Sequence, residues 1–303
     1  MRILLIGGTG LIGGAVLRRL APAHEVLALS RRAEGDATLA AAGATPVRGA
    51  LADAADWAGD LPPLDALIQC AADFSAEDMG AAEAPLIAAI EAGALPLKPG
   101  AAALYTGGVW LYPAGDEVVS DEATGFEPLP AFAWMVDHWR RLRASPAVRG
   151  VCVHPGLVFD DAGRGAIDPL TAALTVGGPV PVCGDPDVRW PMVHADDLAD
   201  LYARALEGGR AGECFNGVAA NGVPVRRIVE ALAADRGLPA PTLRPLTPEE
   251  ARRRFGASAD GFARSQRVSA GRARERLGWR ARRPVPGASP TTEDMGDCRD
   301  AGD

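Results

Sequence analysis

Lysine is almost absent from this sequence, and acidic residues outnumber basic ones. The chain has 39 acidic residues against 31 lysines and arginines, for a net charge of −8 at pH 7, and Lys98 is its single lysine. Such a chain lacks the excess of basic surface with which proteins bind nucleic acid or anionic membranes. We therefore expect neither a nucleic-acid partner nor a membrane partner.

Paired cysteines, clustered histidines and long apolar runs are also missing. The five cysteines form no Cys-x-x-Cys pair and the four histidines show no metal-ligand spacing, so we expect neither a disulfide framework nor a metal site. No apolar run reaches about 18 residues, the length that would suggest a membrane span. The N-terminus shows no apolar region or cleavage site of a signal peptide. These absences favour a cytoplasmic protein.

Short apolar runs alternate with helical segments from residue 1 to about residue 155. This alternation is typical of a parallel β-sheet covered by helices on both faces. After residue 156 the alternation weakens and Pro and Gly clusters appear, which predicts a smaller C-terminal lobe. Asp196 and Asp197 are predicted to cap a helix there. Helices are predicted in this half at 195–208, 224–236, 247–255 and 269–277.

A glycine-rich loop lies between the first apolar strand and the first helix. Its glycines have a GxxGxxG spacing, which lets the backbone turn tightly and approach a pyrophosphate at the helix N-terminus. We predict a dinucleotide site here, against the alternative of a plain strand, turn and helix. The predicted cofactor contacts in this loop are Gly7, Thr9, Gly10, Leu11, Ile12 and Gly13.

The second strand ends at Ser30, Arg31 and Arg32. A site for NAD would normally have a carboxylate there, to bind the 2′-hydroxyl of the ribose. A guanidinium instead matches a phosphate, and a serine hydroxyl can donate a hydrogen bond to it. These residues favour NADP over NAD, with an exposed basic turn as the alternative.

Six motifs, in the right order, resemble those of the extended short-chain dehydrogenase/reductases, the NAD(P)-dependent epimerase/dehydratases. They are GGTGLIG, VRGALAD, HPGLVF, WPMVHADDLADLYARAL, GECFNG and SAGRARERLGW. The likeness covers about residues 1–280 and implies an α/β fold, a doubly wound parallel sheet (Rossmann) with a smaller C-terminal substrate lobe. The further cofactor contacts that the resemblance implies are Leu51, Cys70, Ala71, Ala72, His138 and Pro155.

Domain boundaries follow from these motifs and from the composition. We predict a dinucleotide-binding Rossmann core over 1–158, with 190–220 returning to it. The smaller substrate lobe would comprise 159–189 and 221–283. Residues 284–303 have the composition of a disordered tail.

The catalytic pattern of that family is not conserved in this chain. Family members use a Tyr-x-x-x-Lys pair on a helix, with a Ser or Thr after the preceding strand. Here Trp134 stands at the tyrosine position and His138 at the lysine position. At the strand end Gly107 and Gly108 replace the hydroxyl residues, which leaves Thr106 as the nearest candidate.

Four side chains are therefore candidates for catalysis: His138, Thr106, Trp134 and Tyr112. An imidazole at 138 could donate a proton, or it could only bind the nicotinamide ribose. The indole of Trp134 has no titratable proton, so it would line the pocket or belong to the core. Tyr112, in the loop after the fifth strand, is the least favoured candidate and could supply the phenol that the family's tyrosine would provide.

Three functions remain open at this point. The first is a divergent NADP-dependent oxidoreductase acting on a small organic substrate, since hydride transfer needs mainly positioning. The second is a non-redox enzyme that catalyses a cyclisation, isomerisation or elimination on the same fold. The third is a non-catalytic dinucleotide-sensing protein. The expected partner is a small-molecule substrate, and a homodimer is left open.

Overall fold

The computed structural model describes residues 1–72 and 78–288. Strands and helices alternate through the first half of the chain. The strands of these residues are β1 (Arg2–Ile6), β2 (Glu25–Ser30), β3 (Thr45–Arg48), β4 (Leu64–Gln69), β5 (Leu97–Thr106), β6 (Gly115–Ser120), β7 (Arg149–Pro155), β8 (Leu157–Phe159), β9 (Val180–Cys183), β10 (Arg189–His194), β11 (Cys214–Gly217), β12 (Ala220–Pro224), β13 (Leu243–Leu246) and β14 (Gln266–Val268). The α-helices are α1 (Leu11–Leu20), α2 (Ala33–Ala41), α3 (Ala54–Trp57), α4 (Met79–Glu91), α5 (Trp134–Ala144), α6 (Asp168–Val176), α7 (Ala195–Gly208), α8 (Val225–Ala234), α9 (Pro248–Phe255), α10 (Ser258–Phe262) and α11 (Gly271–Leu277).

The central sheet is parallel throughout. Within the described residues it has seven strands in the order β11-β7-β5-β4-β1-β2-β3. The strand order reverses between β1 and β4, and sheets of this kind bind their ligands there, at the carboxyl ends of the strands. The predicted doubly wound α/β fold is confirmed.

Alternate residues of the central strands face two separate layers of helices. Ile3 and Leu5 of β1 lie in the same apolar cluster as buried residues of α1 and α7. Leu4 and Ile6 lie in a second cluster, with buried residues of α4 and α5. Both faces are covered, which explains why β1 reads as a continuous apolar run instead of an alternating one.

The second half of the chain adds small sheets and helices. Strands β8, β10 and β12 form one sheet, and β9 with β13 and β6 with β14 form two-stranded sheets. The segment 190–220 is predicted to return to the core. Its strand β11 joins the central sheet, whereas its strand β10 belongs to the three-stranded sheet. The division into a core and a substrate lobe stays a prediction, because one apolar cluster spans both.

The prediction that Asp196 and Asp197 cap helix α7 is wrong. The helix begins after His194, whose Nδ1 accepts the backbone N–H of Asp196 at 3.1 Å. Asp197 instead accepts the backbone N–H groups of Arg282 and Arg283, at 3.0 and 2.9 Å. This carboxylate therefore fastens the C-terminal segment to α7.

The first residues of the predicted tail are packed. Val285 and Ala288 contact the main apolar cluster, and a Cβ added to Gly287 would lie 2.4 Å from the carbonyl oxygen of Arg227. The predicted disorder therefore does not apply to 284–288, and the rest of the predicted tail, 289–303, lies outside the described residues. Among the described residues no helix is both long and apolar enough to cross a membrane.

Candidate functional site

A groove of about 580 Å³ lies at the carboxyl ends of β1, β2 and β4. Ile6 and Ser30 line it where β1 and β2 end, and Ala71 and Ala72 line it just after β4. Its position at the reversal of strand order is the place where doubly wound sheets bind nucleotides. A pocket of this size is ample for a small-molecule ligand.

Three glycines give the loop after β1 its shape. Gly7 has a left-handed backbone, with φ of 88°, and a Cβ there would lie 2.7 Å from the backbone nitrogen of Ala71. A Cβ on Gly13 would lie 2.2 Å from the carbonyl oxygen of Gly7, so helix α1 packs directly on the turn. Gly10 precedes α1, and among the described residues no side chain caps this helix. Its first N–H groups therefore suit an anionic group, as in a dinucleotide site.

The residues after β2 form another part of the groove lining. Ser30, Arg31 and Arg32 all line it, together with Glu34 of helix α2. The Ser30 hydroxyl donates to the Arg32 carbonyl oxygen at 2.9 Å, so it holds the turn that carries both arginines. Leu51 lines the groove as well.

Gln69, the last residue of β4, shapes the loop that follows. Its Nε2 donates to the Ala71 carbonyl oxygen at 2.8 Å, and its Oε1 accepts the Ala71 backbone N–H at 2.7 Å. The same Nε2 also donates to Oε1 of Glu83 at 2.7 Å. One buried amide therefore links the groove-lining loop to helix α4.

Glu83 is a buried acid in the groove wall that sequence reasoning missed. Its side chain lines the groove although the residue is only 3% exposed. Its Oε1 binds Gln69, as described above. Its other oxygen, Oε2, accepts the Tyr105 hydroxyl at 3.1 Å and lies 2.9 Å from Nδ1 of His138. A buried carboxylate needs such partners. The available signal was a single acid in the apolar stretch AAEAPLIAAI.

Trp134 and His138 lie on the same face of α5, as their spacing predicts. Their ring centroids are 5.3 Å apart, and the Trp134 side chain lines the groove. A Cβ on Gly80 would lie 2.8 Å from the Trp134 Cβ, so α4 and α5 approach closely here. His138 is 7% exposed and lies behind Trp134 and Glu83, outside the groove lining among the described residues.

The family is decided by the match of residues 3–217 to the model of the NAD dependent epimerase/dehydratase family. The chain belongs to this family. Its membership of the extended short-chain dehydrogenase/reductases is therefore confirmed. Epimerase/dehydratase family proteins are NAD(P)-dependent, which agrees with the dinucleotide site predicted at the glycine loop.

Several relatives span nearly the whole chain. A Schizosaccharomyces pombe protein, "Uncharacterized protein C2A9.02", is 29% identical over 286 residues, 92% of this chain and 95% of its own. The human epimerase family protein SDR39U1 has been solved with NADPH; it is 25% identical with a TM-score of 0.69, covering 95% of this chain and 97% of its own. UDP-glucose 4-epimerase of Thermotoga maritima, at 18% identity, shares the fold with a TM-score of 0.77 over 97% and 98% of the chains.

In this epimerase/dehydratase chain, the hydroxyls of the two remaining catalytic candidates, Thr106 and Tyr112, bond to buried partners. The Thr106 hydroxyl bonds to the Gln69 carbonyl oxygen and lies 2.6 Å from the Tyr202 hydroxyl. The Tyr112 hydroxyl donates to Oδ1 of Asn216 at 2.9 Å, and burial raises the pKa of this phenol. Among the described residues the groove lining includes neither side chain, so the structure does not bring them to the groove with Trp134 and Glu83.

The other predicted cofactor contacts divide into two groups. Those that line the groove are Gly7, Thr9, Ser30, Arg31, Arg32, Leu51, Ala71 and Ala72. The second group lies outside the lining that the described residues form: Gly10, Leu11, Ile12, Gly13, Cys70, His138 and Pro155. The backbone N–H of Cys70 donates to the Ile6 carbonyl oxygen at 2.9 Å, and burial raises the pKa of its thiol to about 12.

Proposed function

We propose that the protein is an NADP(H)-dependent oxidoreductase acting on a small organic substrate. The observation that carries this proposal is the single groove that the glycine loop, the two arginines after β2 and the buried Glu83 line together, with His138 bonded to Glu83 behind that lining. His138 lies on α5 at the position where other family members have Lys, and Glu83 reaches it from α4. That the human relative SDR39U1 has been solved with NADPH supports the choice of cofactor.

The residues present fit a dinucleotide. Gly7 and Gly13 leave the turn without side chains at the point where a Cβ would collide with backbone. Gly7 and Thr9 would hold the pyrophosphate, and Arg31 and Arg32 would hold the 2′-phosphate of the ribose. Bound NADPH would supply a hydride.

The protein's own part in the reaction is to position the substrate and to move a proton. Trp134 gives the groove an apolar wall beside Glu83. The carboxylate of Glu83 and Nδ1 of His138 share a hydrogen bond of 2.9 Å, so a proton taken up or released at the groove can be passed between them. Gln69 and Tyr105 hold the carboxylate in place through their own hydrogen bonds.

A non-redox reaction, an isomerisation or an elimination, is the second candidate. It is favoured by the same pair, because a carboxylate and an imidazole suit proton abstraction and return, whereas a phenol is not brought to the groove by the described residues. A purely dinucleotide-sensing role has no comparable observation in its favour.

The first prediction concerns the choice of dinucleotide. NADPH should bind about tenfold to hundredfold more tightly than NADH, because charge-assisted contacts of Arg31 and Arg32 to the 2′-phosphate are absent with NADH. Isothermal calorimetry with both cofactors measures the preference. Arg31→Ala should reduce it, whereas Arg48→Ala should not, since Arg48 pairs with Asp36 and is not in the described groove lining. Equal affinities in the wild-type protein would refute this assignment.

The second prediction tests the reaction. Loss of NADPH absorbance should be seen with reactive ketones, iminium compounds or activated alkenes, which need little acid assistance. Nucleotide sugars should not be epimerised or dehydrated, because withdrawing a hydride from an unactivated alcohol needs a strong base such as a phenolate. Robust turnover of nucleotide sugars would exclude the proposal, and product formation without net NADPH oxidation would favour the non-redox candidate.

A further inference from the structure

Two cysteines and a histidine form a buried cluster on the sheet, apart from the groove. Cys152 of β7 and Cys214 of β11 are direct partners in the parallel register of these strands. The two sulfurs and a ring nitrogen of His154 all lie within 4.8 Å of one another. Partners in adjacent strands have Cα atoms about 4.8 Å apart, which is within the range that a disulfide spans. The proposed reaction uses none of these three side chains.

The hydrogen bonds of His154 fix the direction of its ring. Its Nδ1 accepts the backbone N–H of Gly108 at 3.3 Å, so the proton of the neutral imidazole belongs on Nε2. Nε2 lies 3.5 Å from the Cys152 sulfur. A histidine that binds a metal usually donates its other ring N–H to an acceptor, and Nδ1 of His154 faces a donor instead. The cluster is therefore arranged for an N–H···S contact and not for a metal ion.

The two cysteine residues differ in exposure. Cys214 is 9% exposed on an edge strand of the central sheet, whereas Cys152 is fully buried. Hydrogen bonds from Cys152 and His154 lower the pKa of the Cys214 thiol, while burial raises the pKa of Cys152. A thiolate at the more exposed position is the form that reacts with peroxides.

We propose that Cys152 and Cys214 are a site of reversible oxidation, at which hydrogen peroxide converts the two thiols into a disulfide joining β7 to β11. The Cys214 sulfur attacks one peroxide oxygen, so that an S–O bond forms, the O–O bond breaks and the other oxygen leaves as water. The Cys152 sulfur then attacks the Cys214 sulfur and loses its proton. The S–S bond forms, the S–O bond breaks and a second water leaves, so two thiols are oxidised while one peroxide is reduced.

Peptide mapping of the whole protein tests this proposal. The reduced protein is treated with one equivalent of hydrogen peroxide, alkylated and digested without reductant. We expect a linked pair of peptides containing Cys152 and Cys214, two hydrogens lighter than the separate peptides, that dithiothreitol separates. Cys183→Ala should leave the link unchanged, because Cys183 lies in a different apolar cluster. The wild-type map needs no variant, so the test does not depend on whether a substituted protein folds.

The order of attack has its own test. In Cys152→Ala treated with peroxide and dimedone, the adduct should lie on Cys214, and in Cys214→Ala the yield at Cys152 should be at least about tenfold lower, because a fully buried thiol is poorly reactive. The proposal is overturned if the wild-type protein gives no Cys152–Cys214 link, if Cys298 or Cys70 is linked instead, or if native mass spectrometry finds one tightly held zinc ion that prevents the link.

Discussion

Replacing Glu83 with alanine is expected to lower the free energy of unfolding by about 3–5 kcal/mol, the cost of removing the shared partner from a buried hydrogen-bonded network. The carboxylate is 3% exposed and accepts hydrogen bonds from Gln69 and Tyr105, and it lies 2.9 Å from Nδ1 of His138. Without it, three buried polar groups lose a partner together. Urea denaturation of the protein without cofactor measures the loss.

A matched control lies on the same helix. Glu91 of α4 also binds α5, through two contacts to Arg141 at 3.0 and 2.6 Å, but both side chains are more than a third exposed. Glu91→Ala should cost about 1 kcal/mol or less, as is usual for surface ion pairs. Glu83→Ala combined with His138→Ala should cost less than the sum of the single changes by about 0.5–3 kcal/mol. Additive costs, or equal costs for Glu83→Ala and Glu91→Ala, would contradict a coupled buried pair.

Much of the fold could be predicted because its signals are local in the sequence. The strands of the sheet are apolar runs with both faces covered, and β1 shows this over only five residues. The close approach of Gly13 to the Gly7 carbonyl needs a residue without a Cβ, so the glycine spacing identifies the loop. The helix α7 could be predicted within a residue, but not its cap, because His194 took the place expected for an aspartate.

The chemistry of the groove wall could not be predicted in the same way. The partners of Glu83 are 14, 22 and 55 residues away, on β4, β5 and α5, and only the assembled fold brings them together. The family pattern directed attention to His138, and the structure adds the acid that holds it. The pattern also suggested Thr106 and Tyr112, but hydrogen bonds to interior partners, Tyr202 and Asn216, occupy their hydroxyls.

If the proposed reaction is correct, replacing His138 with glutamine should reduce kcat by about 10²–10⁴-fold, the range for losing a positioned acid or base. Glutamine has an N–H that can still donate to Glu83, but it does not exchange a proton near neutral pH. Stability should therefore change less than in Glu83→Ala, while turnover of the substrate found by NADPH oxidation falls. The matched control is Asp137→Ala, since Asp137 is the adjacent residue, is exposed and pairs only with exposed Arg140 in the described part of the chain.

The same variant separates a proton-exchanging role from a structural one. If His138 only supports the cofactor site, His138→Gln should mainly raise the dissociation constant for NADPH or lower the melting temperature, and kcat at saturating cofactor should stay within about threefold of the wild type. If it moves a proton, His138→Ala should regain activity when free imidazole is added, because the truncated side chain leaves room beside Glu83 and Trp134. Full activity of His138→Gln with unchanged dependence on pH would rule out any proton transfer by His138. Cofactor affinity measured on the same sample shows whether the groove still binds the dinucleotide, so a failure of the proton-transfer role remains distinct from a failure of the cofactor assignment.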